Sequence, residues 1–112
     1  MKTRILRFNA KDRINFDQIS SGKKKVETRA ATDKYRKIEK GDVLVFVCGK
    51  ERVEKKIKKV EVYKSLDAMF RKINFKKIMP DQASTSDCKK IYMKYPGYKE
   101  KLPKFGVVAF YL

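Results

Sequence analysis

Short blocks of apolar residues recur along the chain and predict strands separated by small helices. Val43–Cys48 is an apolar run, long enough for a buried strand and too short for a helix. Residues 105–112 are almost wholly apolar and predict a last strand at the centre of the core. Thr3–Phe8 has the β-branched and apolar character of a first strand. Residues 24–29 alternate around Val26 and predict another strand.

Residues 52–63 are compatible with either a helix or a strand. Val53, Ile57 and Val60 fit helical spacing, whereas the β-branched and aromatic residues at the end of the segment favour a strand. We interpret the segment as a strand. Because the apolar phase switches from odd to even positions between Ile57 and Val60, we expect a bulge near residues 58–59.

Three amphipathic segments predict short helices. Residues 11–21 carry apolar side chains near helical spacing and precede Gly22, which is typical of a helix C-terminal stop. Ser65 is positioned to cap a second helix, and Ser84 or Thr85 to cap a third.

The elements together predict an α+β fold, namely a small, mostly antiparallel and partly closed β-barrel of about five strands with flanking helices. The turn that begins at Pro96 and the lysine-rich residues 99–104 are predicted to lie between elements. With 112 residues and 42% apolar content, residues 1–112 are expected to form a single domain. The core is expected to include Val26, Val43, Val45, Val60, Val62, Val107 and Ala109 or Phe110.

The chain is strongly basic. It has 30 lysine and arginine residues against 13 acidic ones, which gives a formal net charge of +17. The apolar fraction is near the globular norm, so the charge belongs to the surface of a folded protein. A field of this sign attracts RNA, DNA or an anionic membrane surface, although any one lysine run can be a solvated face without a partner.

Several classes of site are excluded by composition. The chain has no histidine, which removes Ser-His-Asp and Cys-His catalysis and histidine metal ligands. Cys48 and Cys88 are far apart and lack CxxC spacing, so we expect two reduced thiols and no metal site. The N-terminus lacks the apolar run of a signal peptide, and no segment is long enough to span a membrane. We expect a cytoplasmic monomer that uses no cofactor.

Residues 22–29 contain the densest group of candidate functional side chains. If Val26 points inward, Glu27 and Arg29 share the opposite face of the strand. An arginine presents a planar fork to phosphate, and a carboxylate accepts hydrogen bonds from base amino groups. On periodicity alone, a solvated strand face remains an equal alternative.

Several motifs resemble the ASCH domains of the PUA-like superfamily. The resemblance starts with Gly22-x-Lys24-x-x-Glu27-x-Arg29 and extends over nearly the whole chain. It continues through Tyr35, Ile38, Gly41-Asp42, the apolar strand from Val43 to Phe46, Val60-x-Val62-Tyr63-x-Ser65-Leu66, Tyr95-Pro96-Gly97 and Gly106-Val107-Val108-Ala109-Phe110. It implies a β-barrel with flanking helices, and a cleft beside residues 22–29 that holds RNA or nucleotide-like ligands.

Some small ASCH proteins are amidohydrolases that remove the acyl group of acetylcytidine with a lysine, a threonine and a glutamate. Lys24 falls on the position of their lysine, Glu27 stands where they have threonine, and their glutamate falls near Pro80 and Asp81. The resemblance therefore makes Lys24 and Glu27 the catalytic candidates if the chain is an enzyme. The difference at Glu27 counts against that activity.

We predict an RNA- or nucleotide-binding module in which Arg29 and Lys24 contact phosphate and Glu27 contacts a base edge. Tyrosines beside basic residues can stack bases. The predicted binding residues are Lys23, Lys24, Lys25, Glu27, Arg29, Tyr35, Asp81 and Tyr95. The alternatives are an amidohydrolase acting on acetylcytidine-type nucleosides, a nuclease, and an interaction or peripheral membrane protein that uses charge alone.

Overall fold

A computed structural model describes the whole chain, residues 1–112. The strands are β1 (Thr3–Phe8), β2 (Val26–Ala30), β3 (Val43–Cys48), β4 (Glu51–Lys56), β5 (Lys59–Tyr63) and β6 (Val107–Tyr111). The helices are α1 (Arg13–Ser20), α2 (Asp33–Arg36), α3 (Leu66–Lys72), α4 (Thr85–Lys94) and α5 (Tyr98–Phe105), with 3-10 turns at Ala10–Asp12 and Phe75–Lys77.

The six strands form two three-stranded sheets, ordered β1-β3-β4 and β2-β6-β5. β1 runs parallel to β3, and the other three pairings are antiparallel. The fold is therefore α+β and mostly antiparallel, with six strands where the sequence predicted about five. No helix of the structure combines the length and the apolar character that a membrane crossing needs.

The segment predicted as one bulged strand over residues 52–63 is two strands, and the bulge prediction was wrong. β4 belongs to the first sheet and β5 to the second. Between them, the Ile57 N–H donates to the Asp42 carbonyl and the Lys58 N–H donates to the Tyr111 carbonyl, at 2.9 and 2.7 Å. The switch in apolar phase therefore marks the point where the chain passes from one sheet to the other.

α5 replaces the predicted lysine-rich loop. Its buried residue, Leu102, packs into the core between the helices and the β2-β6-β5 sheet, and this packing stabilises a helix that contains Pro103. The helix ends at Gly106, where φ is 79°. Tertiary packing thus outweighs the local preference against proline.

The central strand β6 contributes to cores on both faces of its sheet. Val107 and Ala109 pack with residues of α3, α4 and α5, whereas Val108 and Phe110 pack with residues of the β1-β3-β4 sheet. Of the predicted core, Val62 is wrong, because it is 45% exposed on β5, which is an edge strand. Two others are only partly buried, Val43 and Val60.

Both predicted serine caps are present. The Ser65 hydroxyl accepts a hydrogen bond from the Ala68 N–H at the start of α3, and the Ser84 hydroxyl accepts one from the Asp87 N–H at the start of α4. Ser84, rather than Thr85, is therefore the cap of α4. Both cysteines are buried and unpaired.

Candidate functional site

A cavity of about 240 Å³ lies between the end of β1 and strand β2. β1 and β2 are edge strands of different sheets, so no ladder of hydrogen bonds closes the gap between them. The cavity is lined by Arg7, Phe8, Asn9, Asp12, Asn15, Lys24, Glu27, Thr28, Arg29, Met79, Tyr92, Tyr95, Pro96 and Tyr98. Its lining thus combines charged side chains with aromatic ones.

Lys24 and Glu27 form a buried ion pair in the cavity wall. The Lys24 Nζ lies 3.7 Å from the Glu27 Oε1, and the two side chains are 3% and 6% exposed. The ammonium group also donates a hydrogen bond of 2.5 Å to the Ile78 carbonyl, and the Lys24 N–H donates to the Gln18 carbonyl at the end of α1. Burial lowers the pKa of Lys24, and the negative charge of Glu27 opposes that shift.

Glu27 is held as a carboxylate by its neighbours. Its Oε1 accepts a hydrogen bond of 2.8 Å from the Thr28 N–H, and its Oε2 lies 3.4 Å from the Arg29 guanidinium. Burial opposes ionisation, but the positive charges of Lys24 and Arg29 and the Thr28 N–H outweigh it. The pKa of Glu27 is therefore lowered.

Arg29 extends from the Glu27 carboxylate toward solvent. Its side chain is 20% exposed, and its guanidinium lies over the rings of Phe8 and Tyr35 at 5.6 and 5.7 Å. Cation–π contacts with two rings restrict the guanidinium. Arg29 is thus a positioned cation at the cavity.

Three tyrosines form the aromatic wall. Tyr92 stacks on Tyr98 with ring centroids 6.4 Å apart, and Tyr95 meets both rings edge to face. The Tyr92 hydroxyl is hydrogen-bonded to the Thr28 hydroxyl, and the Tyr98 hydroxyl accepts from the Ala30 N–H. These bonds fix the wall against β2.

Burial raises the pKa of each of the three tyrosines, Tyr92, Tyr95 and Tyr98. All three therefore stay neutral near pH 7 and act as hydrogen-bonding groups rather than as bases. The charge of the cavity is carried by its lysine, arginine and acidic residues.

The structure brings together only part of the predicted site. Lys24, Glu27, Arg29 and Tyr95 line the cavity. The four other predicted residues are outside its lining: Lys23, Lys25, Tyr35 and Asp81. Of these, Tyr35 contacts the Arg29 guanidinium, and the other three are exposed to solvent.

Several cavity residues were not predicted from the sequence, because they lie far from residues 22–29 along the chain. Arg7, Phe8 and Asn9 reach the cavity because β1 pairs with β3 and ends beside β2. Asp12 directly precedes α1, and Asn15 lies in the first turn of that helix. The sequence hinted at these residues only through the polar side chains that follow β1, and polar residues at such positions are common in loops that bind nothing. No group of three or more potential acidic or cysteine metal ligands occurs in the structure.

Comparison with known proteins gives consistent matches over most of the chain. The sequence model of the ASCH domain matches residues 14–112. The crystal structure of the hypothetical protein PH0355 is 32% identical with a TM-score of 0.80, covering 99% of this chain and 96% of that one. The solution NMR structure of protein PF0455 from Pyrococcus furiosus is 30% identical with a TM-score of 0.73, covering 96% of this chain and 94% of that one. None of the curated proteins matches this sequence.

Proposed function

The chain belongs to the ASCH domain family, and from this premise we propose that it is a module that binds RNA or a nucleotide. ASCH domains have a PUA-like fold associated with RNA binding. The cavity between β1 and β2 receives one base with its sugar, and basic residues at its edge contact phosphate. We interpret the two three-stranded sheets as parts of a PUA-like barrel that is open at this gap.

The convergence of Lys24, Glu27 and Arg29 on one cavity carries the proposal. Its volume, about 240 Å³, lies just below the range of roughly 300–1,000 Å³ that is usual for larger organic ligands. A site of this size suits a single nucleoside. A longer RNA would have to leave the cavity over the protein surface.

Each charged residue has a separate role in the proposed complex. Glu27, ionised and fixed by its neighbours, accepts hydrogen bonds from the amino group of a base. Arg29 contacts phosphate, because its side chain lines the cavity and is 20% exposed. Lys24 is already engaged by Ile78 and Glu27, so it holds the carboxylate in place rather than clamping phosphate as the sequence suggested.

The aromatic wall provides stacking surface. Tyr95, Tyr98 and Phe8 all belong to the lining of the cavity. Stacking of a base on an aromatic side chain contributes about 1–3 kcal/mol and tolerates any base. Selectivity would then depend on polar groups such as Glu27.

The direct test is titration of the protein with cytidine, adenosine and uridine monophosphates, followed by calorimetry and NMR. We expect Arg29→Ala to weaken binding more than Lys24→Arg, which preserves the charge. Glu27→Gln should cost about 1–3 kcal/mol for bases that carry an amino group and less for uridine. Arg52→Ala is the matched control, because Arg52 is an exposed arginine on β4, at the far edge of the first sheet. Equal losses for Arg29→Ala and Arg52→Ala would contradict a site in the cavity.

Amidohydrolase activity on acetylcytidine is the second candidate, and the burial of Lys24 is the observation that favours it. Burial lowers the pKa of Lys24, which is the direction required of a catalytic amine. Glu27 nevertheless occupies the place of the family threonine, and the ion pair favours the charged amine. We expect slow or absent hydrolysis of acetylcytidine by the purified protein. Rapid hydrolysis that Lys24→Arg abolishes, while nucleotide binding survives, would make the enzyme the correct interpretation.

A further inference from the structure

The outer face of α4 carries a basic stripe that is separate from the cavity. We define the α4 stripe as Lys89, Lys90, Met93 and Lys94. Together with Thr85 and Ser86 these residues line a shallow groove of about 480 Å³. Their positions repeat at intervals of four residues, so they share one side of the helix.

The side of α4 that faces away from the stripe borders the cavity. Cys88 and Tyr92 are the buried residues of α4, and Tyr92 lines the cavity together with Tyr95, which directly follows the helix. Ten helical residues extend about 15 Å. We therefore expect a polynucleotide that leaves the cavity past Tyr95 to meet the C-terminal end of the α4 stripe and to follow it away from the site.

Two lysines of the stripe have no acidic partner. Lys89 forms an ion pair with Asp67 of α3, which offsets its charge. Lys90 and Lys94 are exposed and form no ion pair. Met93, at 45% exposed, adds apolar surface between them. The free charge of the stripe is thus positive and matches an anionic chain.

We propose that the α4 stripe binds the backbone phosphates of a single-stranded RNA, one base of which occupies the cavity. This inference rests on the proposed function and extends it, because it makes the ligand a polynucleotide rather than a free nucleotide. Lysine ammonium groups act as point charges that contact phosphate without reading sequence. The stripe therefore increases affinity for any strand, and the cavity supplies selectivity.

The experiment compares two probes on two matched double variants. The probes are a fluorescein-labelled single-stranded RNA oligomer and cytidine monophosphate. The variants are Lys90→Gln/Lys94→Gln and, as the control, Lys56→Gln/Lys58→Gln, which removes two exposed lysines where the chain passes from β4 to β5. Affinities are measured from roughly 50 to 200 mM salt, the range over which counterion release is large.

We expect Lys90→Gln/Lys94→Gln to weaken RNA binding by roughly three- to tenfold, as for two exposed ion pairs. The slope of log affinity against log salt should become shallower by about 1.4, because each lost phosphate contact removes about 0.7. Binding of cytidine monophosphate should not change. The control variant should show a smaller loss with RNA.

Three results would overturn the proposal. One is an equal effect of the two double variants on RNA affinity and salt slope. Another is an equal loss of cytidine monophosphate binding, which would place the effect in the cavity. The third is displacement of the RNA by polyglutamate at equal charge concentration, which would favour an acidic protein partner. If the wild type binds RNA through the stripe but does not bind the mononucleotide, the proposed cavity function fails, and of the present inference only the phosphate contacts of the stripe remain.

Discussion

The Lys24 ammonium and the Glu27 carboxylate lie 3.7 Å apart with both side chains almost entirely removed from solvent. A buried pair of this kind has lost its hydration, so each charge depends on the other and on its remaining hydrogen bonds. The pair is therefore part of the fold as well as part of the cavity. This double role makes stability measurements informative about the site.

Removal of the lysine charge should destabilise the protein. We expect Lys24→Met to reduce the free energy of unfolding by about 3–5 kcal/mol, because it leaves Glu27 buried with Arg29 as its only cationic neighbour. The double variant Lys24→Met/Glu27→Gln should recover part of the loss. Urea denaturation followed by circular dichroism measures both. Lys59→Met is the control, because Lys59 pairs with Glu61 on the surface and should cost no more than about 1 kcal/mol. A loss for Lys24→Met no larger than the control would contradict the buried pair.

Acidification should remove stability that depends on Glu27. The pKa of Glu27 is lowered in the folded protein, so below its ordinary value of 4.5 the unfolded chain binds a proton that the folded protein does not. Its contribution is present above that pH and is lost as the pH falls through the folded pKa. Urea midpoints measured from pH 7 to about pH 3 should therefore fall more for the wild type than for Glu27→Gln. Parallel curves for the two proteins would exclude Glu27 as a source of acid sensitivity.

Gly106 should not tolerate a side chain. A Cβ atom at this position would lie 2.4 Å from the Tyr63 carbonyl oxygen, and the backbone has a φ of +79°. We expect Gly106→Ala to reduce the free energy of unfolding by about 2–4 kcal/mol, because the backbone conformation (φ 79°, ψ −164°) is open essentially only to glycine and the added methyl group would overpack the site. Gly41→Ala is the control, since Gly41 also has positive φ but no atom within 4 Å, and about 1–2 kcal/mol is expected. Equal losses of stability for the two substitutions in thermal unfolding would contradict the close approach of position 106 to the Tyr63 carbonyl oxygen.

Binding of the wild-type protein to RNA should depend strongly on salt. For roughly four to six phosphate contacts with a single strand, the slope of log affinity against log salt should be about −3 to −4. Fluorescence anisotropy at several salt concentrations measures it. A slope near zero would show that the net charge of +17 plays no part in binding.

Local sequence predicted most of the elements but not how they assemble. The strands β1 and β3 have the predicted bounds, Thr3–Phe8 and Val43–Cys48, because their β-branched and apolar content is strong enough to act alone. Their parallel pairing has no local signal. α5 was missed, because its lysines and Pro103 are typical of a loop and the packing of Leu102 that stabilises it is tertiary.

The sequence predicted the charged residues that β2 contributes to the candidate site but not the residues that β1 contributes. Alternation around Val26 placed Glu27 and Arg29 on a common face, and both line the cavity with Lys24. Arg7 and Phe8 were not predicted, because they reach the cavity through long-range strand pairing. Charge alone did not distinguish the buried Lys24 from the exposed Lys23 and Lys25, since burial of a lysine depends on contacts such as Ile78.

The place of β6 between β2 and β5 has a consequence for how the protein is made. Both neighbours pair only with β6, and roughly 80 residues separate β2 from it along the chain. The β3–β4 hairpin can form while synthesis continues, but the second sheet must wait until residues 107–111 have been synthesised. The β2 side of the cavity is therefore expected to form late in folding. A nascent chain that ends before β6 would lack the cavity and could not bind a ligand there.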